Sequence, residues 1–123
     1  EYNSVSSSLM IGFESDTRRT PLEYTVVDTA ELPQSAQELI QEKKADDFQM
    51  TYQKGDTLYL IRGYGKQMSG GYSIQVAELS ASSTTIFFKT RLIGPEKENQ
   101  SGAPSYPYIA VKTDYREEPV VFE

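Results

Sequence analysis

Tyr64-Gly65-Lys66-Gln67-Met68-Ser69-Gly70-Gly71-Tyr72-Ser73-Ile74-Gln75-Val76 is the stretch on which the reading of the fold turns. The apolar run Leu58-Tyr59-Leu60-Ile61 precedes it, and Tyr72, Ile74 and Val76 alternate with polar residues at its end. Both flanks read as strands, the second with one buried face. Gly70-Gly71 accepts backbone angles with φ > 0, so the stretch is expected to join its two strands by a tight, Gly-rich turn. A chain that is β on both sides of such a turn is expected to be mainly β.

The remaining segments extend that pattern. Upstream, Leu22, Tyr24 and Val26 alternate with Glu23, Thr25 and Asp28, which predicts a strand with one buried face. Pro33 suits a first helical turn, and Ser35 with Glu38 forms a capping-box pattern, so a helix is expected over 33–44. Its apolar stripe is Leu32, Ala36, Leu39 and Ile40, and Leu39 with Ile40 is expected to dock it on the sheet. Phe48–Tyr52 and Thr57–Tyr64 flank Gln53-Lys54-Gly55-Asp56, a hairpin turn.

A second hairpin is expected around Ser80-Ala81-Ser82-Ser83, between Tyr72–Leu79 and Thr85–Leu92, with Ile86, Phe88 and Leu92 on one face. Residues 94–105, polar and rich in Gly and Pro, read as a long loop. Tyr108–Lys112 and Pro119–Phe122 read as two final strands. The expected fold is an antiparallel β-sandwich or partly open barrel with one short helix packed on it. Residues 1–20 are expected to be a flexible or partly ordered segment, with Leu9-Met10-Ile11 as its one apolar stretch, and 21–123 a single domain.

Composition removes several kinds of chemistry. The 123 residues contain no cysteine and no histidine, which excludes disulfides, thiolate ligands, a Cys nucleophile and the commonest general base. With 12 basic and 18 acidic residues the net charge is −6 and the basic residues are scattered, so nucleic acid is not an expected partner. No apolar run approaches the roughly 20 residues needed to span a bilayer. No signal peptide is recognisable, and because the chain opens at Glu1 without Met, any export signal is expected upstream.

Asp46-Asp47 and Glu117-Glu118 are adjacent pairs, which point to opposite faces in extended structure and so read as solvated charge. Lys66 and Ser69 lie three apart in a turn rather than in the helical setting of a Ser–Lys hydrolase. No catalytic residue, metal ligand or cofactor is therefore expected. The nine tyrosines fit sheet packing or a recognition surface, and both readings stay open for Tyr64, Tyr106 and Tyr108.

Gly65-Lys66-Gln67-Met68-Ser69-Gly70-Gly71-Tyr72-Ser73-Ile74 resembles the Gly-x-x-Pro-Thr-Gly-Gly-Tyr-Ser-Ile signature of the PrcB C-terminal-like domain family. Leu92-Ile93-Gly94-Pro95 and Pro104-Ser105-Tyr106-Pro107-Tyr108 fall where that family has a Gly-Pro loop and a Tyr-Pro-Tyr strand start. The resemblance runs from Leu58 to Lys112, with Met68-Ser69 in place of Pro-Thr. It implies an exported, lipid-anchored, β-rich binding domain of a bacterium; the family takes its name from a non-catalytic lipoprotein subunit of a bacterial surface protease complex, and a protease partner for this chain does not follow from the resemblance. More distantly, the Gly-Gly-Tyr turn is similar to the Thr-Thr-Gly-Tyr loop of chagasin-type cysteine-protease inhibitors.

The expected function is thus a protein-interaction module, with a protease inhibitor inserting the 66–71 turn into a cleft, or a small-molecule-binding β-domain, as alternatives. The expected contact residues are Gln67, Met68, Ser69, Gly70, Gly71, Tyr72, Tyr106 and Tyr108, the turn acting together with the 94–107 loop.

Overall fold

A computed structural model describes residues 18–96 and 102–123. The expectation for residues 1–20, including the Leu9–Ile11 stretch, therefore lies outside the described residues as far as position 17. Strands β3 (Asp47–Lys54) and β4 (Thr57–Tyr64) form the predicted hairpin, with Gly55 at its turn in the left-handed region (φ 58°). Their register runs without interruption from Asp47 opposite Tyr64 to Lys54 opposite Thr57. On the other side of β4 lies β7 (Tyr108–Asp114), edged by the two-residue β2 (Thr25–Val26), which gives the order β2-β7-β4-β3.

The second sheet has the order β1-β5-β6-β8. Its centre is the hairpin of β5 (Ser73–Ala81) and β6 (Ile86–Ile93), flanked by β1 (Thr20–Pro21) and β8 (Val120–Phe122). An irregularity between Val76 and Glu78 changes which residues of β5 face inward. Val76 before it and Leu79 after it accordingly both reach the same core.

Strand β4 shows why the sheets stack as they do. Leu58 and Leu60 join Leu79, Ile86, Phe88 and Val111 between the two sheets. Ile61, from the opposite face of β4, joins Ala36, Ile40, Phe48 and Ala110 beneath helix α1 (Gln34–Lys43). A strand buried on both faces needs an unbroken apolar run, and Leu58–Ile61 supplies one. Gly63 belongs to the helix side: a Cβ there would lie 2.1 Å from the Phe48 ring, so only glycine leaves room for that ring. The two sheets are not closed into a barrel, and the fold is a β-sandwich with one helix on the outer face of one sheet.

Several expectations are corrected. The 65–72 stretch does not make a hairpin: β4 and β5 lie in different sheets, and the stretch carries the chain from one to the other. Positive φ angles fall at both ends of this crossing, Gly65 (74°) and Gly71 (87°), as a change of layer requires. The upstream strand is also split. Residues 20–21 pair with β5 and residues 25–26 with β7, so Tyr24 and Val26 face solvent at 41% and 55% exposure and Val27 is the buried residue.

The helix docks by Leu32, Ala36 and Ile40, all buried, whereas Leu39 at the side of this stripe is only half-buried. Pro33 occupies the N-cap position, and the Ser35 hydroxyl hydrogen-bonds Tyr52 on β3 instead of closing a capping box with Glu38. A reciprocal cap stands earlier, where the Asp28 amide donates to Glu31 Oε1 (3.3 Å) at a 3-10 turn over Thr29–Glu31. Finally, β8 pairs with β6 in parallel rather than antiparallel.

The outer face of the second sheet carries a charge network. Arg19 stacks on Phe87 (3.6 Å to the ring centroid) and bridges Glu78 (3.1 Å) and Glu123 (3.3 Å). The hydroxyl of Ser80 donates to Glu78 (2.5 Å), and this bond, followed by that from Arg19, holds the Glu78 carboxyl below its ordinary value. A carboxyl whose pKa is lower in the folded state stabilises the fold above its unfolded value and loses that effect as pH falls through the folded value. Glu78→Gln is therefore expected to be less stable than the parent at neutral pH, with the difference narrowing below the carboxylate range. Denaturant unfolding at the two pH values checks this, and a constant difference would contradict it.

Candidate interaction surface

The crossing after β4 and the segment before β7 meet at one end of the sandwich. Gln67 and Ser105 form an isolated antiparallel bridge, with Gln67 N donating to Ser105 O (2.8 Å) and Ser105 N to Gln67 O (3.0 Å). Ser105 Oγ donates to Ser69 O (2.7 Å), and Gln67 Nε2 donates back to Tyr64 O (3.0 Å). Three hydrogen bonds thus hold the turn against the loop, although the two are far apart in sequence, and the fourth braces the turn on the end of β4. At the start of the crossing, Lys66 N donates to Ala45 O (3.3 Å). Gly65 sits so close to the backbone after α1 that a Cβ would come within 3.0 Å of Asp47 N.

The expected contact residues separate into two groups. Met68 projects from the turn with 74% of its surface exposed, Gly71 is exposed beside it, and Tyr106 is exposed at 37% on the loop. Lys44, from the C-terminal end of α1, stands over the Tyr106 ring (5.3 Å), so the helix contributes to the same end of the molecule. Gln67, Ser69, Gly70 and Tyr72 are half-buried. The Gln67 and Ser69 bonds described above serve the join between turn and loop, and Tyr72 lies against Gly94, where a Cβ would be 3.4 Å from its ring.

Tyr108 belongs elsewhere. It is half-buried, packs against the core beneath the helix and hydrogen-bonds Thr29, so it takes the packing role. Tyr64 does the same between the sheets: its hydroxyl hydrogen-bonds buried Thr90 (2.5 Å), and Arg62 stacks on its ring (4.1 Å). Residues 97–101, part of the long loop, lie outside the described residues.

Sequence reading missed two contributors. Lys44 follows the last turn of α1, where a cation suits the helix end, and only the tertiary placement of Tyr106 gives it a ring to cover. Ile93, opposite Ser73 in the ladder, ends β6 with its side chain exposed beside the same edge of the sheet. A β-branched apolar residue immediately before the Gly94-Pro95 step was the available signal for it.

For chemistry the surface offers hydrogen-bonding backbone, one thioether and one phenol. Ser69 Oγ also donates to Gly70 O (3.3 Å). Among the described residues no group of three or more acidic, His or Cys side chains could hold a metal ion, and no helix is long and apolar enough to cross a membrane.

Fold and surface together define a β-sandwich domain with one docked helix and a bonded turn–loop pair exposed at one end. Residues 58–114, from β4 through β7 and including both halves of the surface, match the family model described as PrcB C-terminal. The match covers just under half of the chain. No curated protein and no solved structure gives a significant match.

Proposed function

We propose that the domain is a non-enzymatic interaction module of an exported, lipid-anchored bacterial protein, which assembles with or stabilises a surface protease. The protease association and the export are what the match of residues 58–114 to the PrcB C-terminal family suggests. The observation that carries the choice of surface is the Gln67–Ser105 bridge, which fixes the exposed Met68 and Tyr106 on one joined platform. A thioether adapts its shape to a partner, and a phenol ring adds contact area with a polar tip. Because the platform is held by hydrogen bonds before binding, little order remains to be gained on association.

The test is a pull-down from the native cell surface with the parent domain and with Met68→Asp, the retained proteins being identified by mass spectrometry. A protease or protease subunit retained by the parent and lost with Met68→Asp is expected. Identical retained sets would remove this surface from the interface.

A further inference from the structure

We propose that β3 is a self-pairing edge, through which two copies of the domain join antiparallel about Met50 into one continuous sheet. The Gln49–Gln53 edge contains none of the residues of the turn–loop platform, which adjoins only the start of the strand, and the inference is independent of the protease reading.

An exposed sheet edge presents unpaired N–H and C=O groups, and proteins ordinarily protect such edges by shortness, charge, proline, bulges or cover. Of the four edge strands among the described residues, three are short: β1 and β2 have two residues each and β8 has three. The part of β5 that β1 leaves uncovered carries the irregularity at Val76/Glu78 and the charged Glu78. Among the described residues β3 has none of these devices apart from the charged residues at its two ends, Asp47 and Lys54. It is eight residues long, its ladder to β4 is unbroken, it contains no proline, and Phe48-Gln49-Met50-Thr51-Tyr52-Gln53 carries no charge.

The hairpin geometry says which groups are free to pair. A two-residue loop through Gly55-Asp56 makes Lys54 and Thr57 the closing hydrogen-bonded pair, so Gln49, Thr51 and Gln53 direct their N–H and C=O away from β4. At one end Arg62 pairs with the Asp47 carboxylate (2.7 Å), and the Gln49–Gln53 edge is left for a partner strand.

The choice of a second copy as the occupant rests on the distribution of charge. A two-fold axis perpendicular to the sheet keeps each face continuous, so residues of the same parity must oppose one another. With the axis at Met50, Phe48 opposes Tyr52 of the second copy, and exposed Asp46, the bend residue immediately before β3, comes opposite exposed Lys54 at both ends. Opposite charges facing across an antiparallel pair are favourable, and like charges are not. The same pairing extends the core beneath the helix, whose edge is formed by half-buried Met50 and Tyr52.

Sedimentation velocity on the parent domain, from micromolar to millimolar concentration, is expected to show a monomer–dimer equilibrium. Lys54→Glu, which places acid opposite Asp46, is expected to weaken the dimer at least about tenfold, as is Thr51→Pro, which removes one outward N–H. The exchange Asp46→Lys with Lys54→Glu is expected to restore the dimer, because only antiparallel pairing in this register opposes these two positions. Melting temperatures check that each variant stays folded, and the charge variants carry the test if Thr51→Pro does not. A parent that stays monomeric, a dimer indifferent to Lys54→Glu, or a loss that the charge exchange fails to restore would each overturn the proposal.

Discussion

Phe88→Ala is expected to remove about 3–5 kcal/mol of folding stability, the cost of deleting a large aromatic side chain from a core that cannot collapse around the space. Phe88 is 1% exposed and sits between the sheets with Leu60, Ile86 and Val111. Its ring meets that of Phe122 edge-on, with centroids 5.8 Å apart and planes at 74°, an arrangement that adds about 0.5–1.5 kcal/mol beyond the buried area. Phe122 lies on β8, the short parallel strand, so losing Phe88 also loosens the chain's C-terminal edge. Because a domain of this size is stable by only about 5–15 kcal/mol, the variant should unfold at much lower denaturant concentration. A loss below about 1 kcal/mol would contradict burial of this ring between the two sheets.

Ile40→Ala is expected to cost about 2–5 kcal/mol, whereas Leu39→Ala should cost well under half as much. Ile40 is fully buried against Phe48, Ile61 and Ala110, while its neighbour Leu39 is half-buried. A ten-residue helix is too short to persist in water alone, so the apolar stripe Leu32, Ala36 and Ile40 is what holds α1 to the sheet. Paired denaturant unfolding of the two variants checks this. Equal losses would mean that the helix is rotated toward the Leu39 side.

Much of the fold was legible because it rests on local signals. Gly55-Asp56 gave the β3–β4 turn, the alternation of Ile86 and Phe88 gave the buried face of β6, and Tyr108–Lys112 fell within β7. What was not legible depends on distant parts of the chain. A Gly-rich stretch between two strands reads the same whether it folds them together or carries the chain to another layer, and here Gly65 and Gly71 serve the second. Leu22, Tyr24 and Val26 alternate as a strand does, but the segment leaves one sheet for the other midway. The parity change in β5 and the parallel pairing of β8 likewise leave no local mark.

The candidate surface divides along the same line. Glycines and an exposed-type Met68 drew attention to the turn, and Tyr106 to the loop, from composition alone. The Gln67–Ser105 bridge that makes them one platform joins residues remote in sequence, and so does the placement of Lys44 over Tyr106. Tyr108 could not be assigned to core or surface by its neighbours, because its role is set by Thr29 across the sheet edge.

The most direct test of the turn–loop platform compares Met68→Ala with the parent domain in both melting temperature and affinity for the partner captured from the cell surface. Met68 is 74% exposed, so truncation should leave the melting temperature nearly unchanged. Affinity is expected to fall at least about tenfold, which is about 1.4 kcal/mol. Unchanged affinity with an unchanged melting temperature would contradict an interface at the turn.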